Sequence, residues 1–163
     1  MAQEAYELQV LMDLREQARD EAQDLVAARV AELHQAQLVV KALEQKLRDA
    51  IQNRLSLREK YSREAATSGG LAGGLYQVSN YLRALEEDER QIEREIEGSK
   101  KNVISAQRSV DDARKQLVEA ATELEAVISH HQQWAAEQRV LADRKQSAAM
   151  DDIAARIWRE NQS

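Results

Sequence analysis

Apolar residues in the second half of the chain recur at alternating spacings of three and four, which is the heptad pattern of a coiled-coil helix. One seam position of this repeat is occupied by Leu75, Leu82, Glu89, Ile96, Val103, Val110, Leu117 and Leu124. The other seam position, three residues later, is occupied by Val78, Leu85, Ile92, Ser99, Ala106, Ala113, Ala120, Val127, Trp134, Leu141 and Ala148. Only Gly98 interrupts the pattern, at a cost of about 1 kcal/mol to a helix. The repeat predicts one long helix over about residues 75–160.

The first half carries a similar repeat whose phase slips. Leu43, Leu47, Ile51 and Leu55 follow one another at steps of four. Such a stutter unwinds a supercoil locally without ending the helix. We therefore expect a first helix over about residues 4–66, with these residues on its seam.

The two repeats are separated by the segment SGGLAGGL, which holds four of the five glycines in the chain. It lacks the Lys-Ser/Thr pair of a phosphate-binding loop, and no strand precedes it. Glycines between helices favour a chain reversal. We predict an all-α fold, a long two-helix antiparallel coiled-coil hairpin with a Gly-rich turn at residues 67–74, forming one domain over residues 1–163.

Charges on either side of the predicted turn are of opposite sign. The basic flank is Arg54, Arg58, Lys60 and Arg63, and the acidic flank is Glu86, Glu87, Asp88, Glu89 and Glu93. A hairpin is expected to bring these flanks together, each exposed pair adding little energy.

The predicted helices are unequal in length, so we expect about the last 20 residues, from about Gln138, to extend beyond the first helix. Apolar residues of this segment are Leu141, Met150, Ile153, Ile157 and Trp158. An apolar stripe without a partner in the chain suggests a partner molecule.

Composition supports this interpretation. The chain has 163 residues, of which 32% are charged and 4% aromatic, with no proline, phenylalanine or cysteine, a mixture typical of long helices. The net charge of −6 argues against a nucleic-acid partner.

Glu4 and Glu7 stand where a signal peptide carries positive charge, and no run of about 18 apolar residues is present. We expect a cytoplasmic protein without direct membrane insertion.

The sequence offers no evident catalytic chemistry. Adjacent His130 and His131 point about 100° apart on a helix, which disfavours a shared metal ion, and His131 falls on the seam, where a polar residue sets register. A two-helix hairpin also lacks a concave substrate pocket. We expect no catalytic residue, cofactor or metal, and therefore no enzyme.

Three segments in order resemble the FliJ/YscO family of type III export systems. They are YELQVLMDLREQARDEAQDLV near the start, YQVSNYLRALEEDERQI after the turn and KQSAAMDDIAARIW near the end. The resemblance spans nearly the whole chain and leaves open whether the system is a flagellum or an injectisome.

The resemblance implies a cytoplasmic, monomeric stalk at the centre of a hexameric export ATPase, which it stimulates and links to the export gate in the membrane. Some members are also associated with escort of export chaperones. By resemblance, the ATPase-binding residues are Leu8, Leu11, Leu14, Met150, Ile153 and Ile157. The three leucines are implied to face either Met150, Ile153 and Ile157 or the ATPase ring.

The residues implied to bind the export gate are Tyr81, Leu85, Asp88 and Ile92. Leu85 and Ile92 also occupy seam positions, so core and docking roles both stay open for them at this stage. The alternative function is a generic structural or adaptor coiled coil, such as a dimeric spacer or tether.

Overall fold

The computed structural model describes residues 8–69 and 72–162, which form two long α-helices. Helix α1 spans Gln9–Ser68 (60 residues) and helix α2 spans Ala72–Asn161 (90 residues). The described part of the chain contains no strand. The predicted all-α helical hairpin is confirmed. Residues 4–7 of the predicted first helix lie outside the described residues.

The chain reverses at a shorter turn than the predicted residues 67–74. Gly69, directly after α1, has a φ of 59°, the left-handed conformation that commonly ends a helix. Thr67 still belongs to α1, while Gly73 and Gly74 already belong to α2. One left-handed residue is enough to end a helix. The other described glycines are helical, and each lowers the stability of its helix by about 1 kcal/mol relative to alanine. Gly70 and Leu71 are not described.

The chain divides into two compact units, each containing a part of both helices. We call Met1–Asp24 with Arg114–Ser163 the terminal unit, and Leu25–Ala113 the turn unit. The division falls inside the helices and not at their ends. The prediction of a single domain over residues 1–163 stays a prediction.

The core of the turn unit lies along the predicted seam of α2. Its buried apolar side chains are Ile92, Ile96, Val110 and Ala113, and Val110 is only 1% exposed. All four occupy predicted heptad positions, as does Glu89, which is also buried. The heptad repeat of α2 therefore predicted the core residues of this unit.

The predicted seam of α1 is wrong at Leu55. That side chain is 51% exposed, while its neighbour Arg54 and the next seam residue, Leu57, are half-buried. After the stutter, the seam returns to steps of three and four, which places Arg54 on the face of α1 that packs against α2. Leu55 lies 100° further round the helix and points away from α2. The apolar pattern of α1 gave the wrong seam residue because a charged side chain occupies the inward position.

The core of the terminal unit is thinner. Leu124 is buried, and Leu117, Ala120, Val127 and Trp134 are half-buried on the same face of α2. From residue 139 to residue 162, every side chain except Ala155 is exposed, including the heptad residues Leu141 and Ala148. These residues keep the coiled-coil spacing, and no helix within residues 8–69 covers them, in agreement with the expectation for about the last 20 residues.

Two glycine substitutions are expected to change stability in opposite directions. An added Cβ meets no atom within 4 Å at either Gly69 or Gly98, so only the backbone differs between the sites. Gly69→Ala places alanine at positive φ and should lower the free energy of unfolding by about 1 kcal/mol. Gly98→Ala, inside α2, should raise it by about 1 kcal/mol. Urea unfolding followed by circular dichroism measures both, and equal shifts would contradict the turn at Gly69.

Candidate functional site

The last turns of α2 present an exposed apolar stripe, which we call the terminal apolar surface. It consists of Met150, Ile153, Ile157 and Trp158, whose exposed fractions run from 51% to 62%. Spacings of three and four place Met150, Ile153 and Ile157 on one helix face, with Trp158 on its flank. The surface belongs to the terminal unit and offers four large anchors to a partner.

The three leucines implied to bind the ATPase lie at the start of the described chain. Leu8 and Leu14 are exposed and Leu11 is half-buried. Next to Leu14, Arg15 forms an ion pair with Glu123 of α2. Since 27 residues separate Glu123 from Met150, about 40 Å of helix lies between them. The structure therefore does not bring these leucines against Met150, Ile153 or Ile157, and their implied contact with the ATPase ring stays a prediction.

The residues implied to bind the gate separate into core and surface. Ile92 is 7% exposed and Leu85 is half-buried, whereas Tyr81 and Asp88 are exposed. Leu85, Asp88 and Ile92 line a groove of about 370 Å³ together with Lys46 and other residues of α1. Ile92 thus packs in the seam of the turn unit, whereas the side chains of Tyr81 and Asp88 are accessible without opening the helix pair.

A charged pair lies within the seam of the turn unit. The Arg54 Nε donates a hydrogen bond to Glu89 Oε1 at 2.6 Å, and Arg54 Nη1 lies 3.7 Å from Glu86 Oε1. The two side chains of the shorter contact are 18% and 10% exposed. The hydrogen bond to Glu89 raises the pKa of Arg54, which therefore stays charged in any ordinary buffer. A half-buried ion pair at a seam position favours the one alignment that keeps both charges paired.

Among the described side chains, the predicted meeting of basic and acidic flanks occurs at Arg54 alone. Arg63 pairs with Glu59 on its own helix, and Glu87 pairs with Arg94 at 2.9 Å, also on its own helix. The hydrogen bond from Arg94 lowers the pKa of Glu87. Contacts between neighbouring turns of one helix compete with contacts across the hairpin.

Two other ion pairs between helices were not predicted. Lys100 lies 3.3 Å from Glu44 in the turn unit, and Arg15 pairs with Glu123 in the terminal unit. Opposite charges beside the seam are the sequence signal for such pairs, but this signal identifies a pair only when the alignment of the two helices is known.

Metal binding depends on the grouping of ligand side chains, and membrane spanning depends on the length and polarity of a helix. His131 stacks on Trp134 with ring centroids 5.9 Å apart. Within residues 8–69 and 72–162, no group of three or more His, Cys, Asp or Glu side chains is arranged to hold a metal ion. None of the described helices is long and apolar enough to cross a membrane.

Comparison with protein families shows that the model of YscO-like proteins matches residues 3–163. The chain belongs to the YscO-like family. The match confirms the resemblance seen in the sequence and associates this YscO-like chain with type III secretion. Comparison with curated proteins finds no match.

The YscO-like chain also has the fold of a solved structure, CT670 from Chlamydia trachomatis, described as a proposed YscO homolog. The two superpose with a TM-score of 0.79 over 98% of each chain, at 16% sequence identity. At this identity the similarity shows the shared fold. In this YscO-like chain, that fold supports two exposed regions, the terminal apolar surface and the face around Tyr81 and Asp88.

The seam ion pair of this YscO-like protein yields a prediction for coupled substitutions. Arg54→Met leaves the Glu89 carboxylate in the seam without its hydrogen-bond donor and should lower the melting temperature by several degrees. Arg54→Met combined with Glu89→Leu should restore it, since an apolar pair fills the seam without stranding a charge. Arg90→Met, which removes an exposed ion pair with Glu87, should change it little. Equal losses in the single and the double variant, measured by thermal circular dichroism, would exclude a coupled pair.

Proposed function

We propose that this chain is a non-enzymatic stalk component of a type III export apparatus, which binds the hexameric export ATPase through the terminal apolar surface and stimulates ATP hydrolysis. One observation carries the proposal: Met150, Ile153, Ile157 and Trp158 are exposed together on the last turns of α2. Such a surface is costly in a protein without a partner.

The four anchors supply a substantial part of the free energy of binding. Full burial of one large apolar side chain contributes about 1.5–3 kcal/mol, and because the four anchors are already about half covered, together they offer about 3–7 kcal/mol. Immobilising the partners consumes several kcal/mol of this gain. Micromolar affinity requires about 8 kcal/mol, so the four anchors need further contacts, for which Leu8 and Leu14 are exposed elsewhere in the terminal unit.

Stimulation follows from differential contact. A two-helix hairpin is asymmetric, so a ring of identical subunits cannot contact it equally at every position. Subunits that contact the apolar face are biased toward one conformation and the others are not. The proposal therefore gives the stalk an effect on hydrolysis without any catalytic residue of its own.

The proposed link to the membrane export gate uses the turn unit. Tyr81 and Asp88 supply the accessible part of the implied gate-binding set, while Ile92 stays in the seam and supports the helix on which they lie. In this proposal the protein is cytoplasmic and peripheral to the membrane, and escort of export chaperones would use exposed apolar residues in the same way.

The proposal predicts loss of ATPase stimulation when charge is placed on the terminal apolar surface. Ile153→Asp with Ile157→Asp should weaken binding to the cognate export ATPase at least about 100-fold, because each change removes an apolar anchor and requires desolvation of a carboxylate. Hydrolysis of ATP and ring assembly are measured with increasing amounts of each variant.

Ile104→Asp is the matched control, since Ile104 is 55% exposed in the turn unit. It should stimulate as the unaltered chain does. Absence of stimulation by the unaltered chain, or an equal loss in both variants, would contradict the proposal. Sedimentation of the chain alone tests the alternative, because a dimeric spacer would be a dimer and a stalk a monomer.

A further inference from the structure

Near the turn, the two helices enclose a groove of about 420 Å³ that combines arginines with an apolar lining. Its arginines are Arg54 and Arg58 of α1 and Arg83 of α2. Its apolar lining is formed by Leu75, Val78 and Leu82, and Ser79 and Glu86 also line it. We call it the arginine groove. All of it lies within the turn unit, and it shares no residue with the terminal apolar surface.

Two of the three arginines are available to a ligand. Arg54 is already engaged by Glu89 and by Glu86, the acidic residue that also lines the groove. Arg58 and Arg83 are exposed and form no hydrogen bond or ion pair with any residue that the structure describes. Two guanidinium groups therefore face solvent beside an apolar lining.

The charge around the groove is opposite to that of the whole chain. Residues 54–86, which include Glu86 of the groove itself, contain five basic side chains and three acidic ones, a net charge of +2, whereas the whole chain carries −6. Of the five, Arg63 is paired with Glu59 on its own helix. This local positive charge attracts an acidic partner while the remainder of the chain repels it, which orients the encounter.

The residues beside the groove are of the types that dominate protein interfaces. Leu75 is half exposed and Tyr76 is one of the most exposed large side chains in the described chain. Arginine and tyrosine are enriched at the energetic centres of interfaces, where an apolar body and polar head are buried together.

We propose that the arginine groove binds an acidic amphipathic segment of a partner protein. Carboxylates of the segment pair with Arg58 and Arg83, and its apolar side chains cover Leu75, Val78 and Leu82. Guanidinium groups bind carboxylates through two parallel hydrogen bonds, which fixes the orientation of the segment. A small phosphate-type anion fits less well, because it leaves the apolar lining in water and brings dense charge close to Glu86.

The test uses the full chain and two labelled synthetic helical peptides. One carries leucine at spacings of three and four with flanking glutamates, and the other has every glutamate replaced by lysine. Fluorescence anisotropy should show binding of the acidic peptide, weakening as salt is raised, and none of the lysine peptide. Arg58→Glu with Arg83→Glu should weaken binding of the acidic peptide at least about ten-fold, or about 1.4 kcal/mol.

Arg108→Glu is the control, because Arg108 is exposed in the same unit and forms no ion pair with the residues that the structure describes. It should leave the affinity unchanged. Equal binding of both peptides, no binding of the acidic one, competition by inorganic pyrophosphate at equal potency, or an equal effect of Arg108→Glu would each overturn the proposal. ATPase stimulation by the Arg58→Glu, Arg83→Glu variant should be retained, which separates this inference from the proposed function.

Discussion

A narrow apolar seam between two helices is the interaction on which each unit of this protein depends. A helix can turn only one face toward a single partner, so only that face is buried. Among the residues that the structure describes, the buried apolar ones are accordingly few: Ile92, Ile96, Val110, Ala113 and Leu124. Since each large one contributes only about 1.5–3 kcal/mol, pairing depends on the continuity of the seam and on its alignment. The Arg54–Glu89 pair contributes to that alignment, because a shifted register would leave a charge without its partner.

The same constraint explains why so much apolar and charged surface is available to partners. Because only one face of each helix packs in the seam, the other faces can present apolar and charged side chains to partners. The terminal unit offers an apolar stripe that includes Ile153 and Trp158. The turn unit offers the arginine groove, in which two arginine side chains lie beside leucine and valine side chains. These surfaces differ in chemistry, so they suit different partners. Membership in the YscO-like family provides the type III secretion context in which such partners would be found.

Sequence periodicity predicted the fold and the buried face of α2, because heptad spacing and burial are two expressions of one geometry. It failed at Leu55 because Arg54 fills the inward position, and hydrophobicity alone cannot identify a charge buried with its partner. Ion pairs such as Lys100–Glu44 depend on the alignment of two helices, which neither repeat specifies by itself. The choice between core and docking roles for Ile92 likewise required knowledge of what covers it.

The central claim, that both helices pair antiparallel within one chain, is tested most directly by cysteine crosslinking. The natural chain contains no cysteine, so Glu44→Cys with Lys100→Cys gives a defined pair at side chains that lie 3.3 Å apart in the structure. Treatment of the dilute protein with a short bismaleimide should yield a crosslinked monomer. The control variant, Glu44→Cys with Ser79→Cys, should not crosslink, because residue 79 lies about 30 Å from residue 100 along α2, toward the turn. A crosslink found only in a covalent dimer would contradict the account.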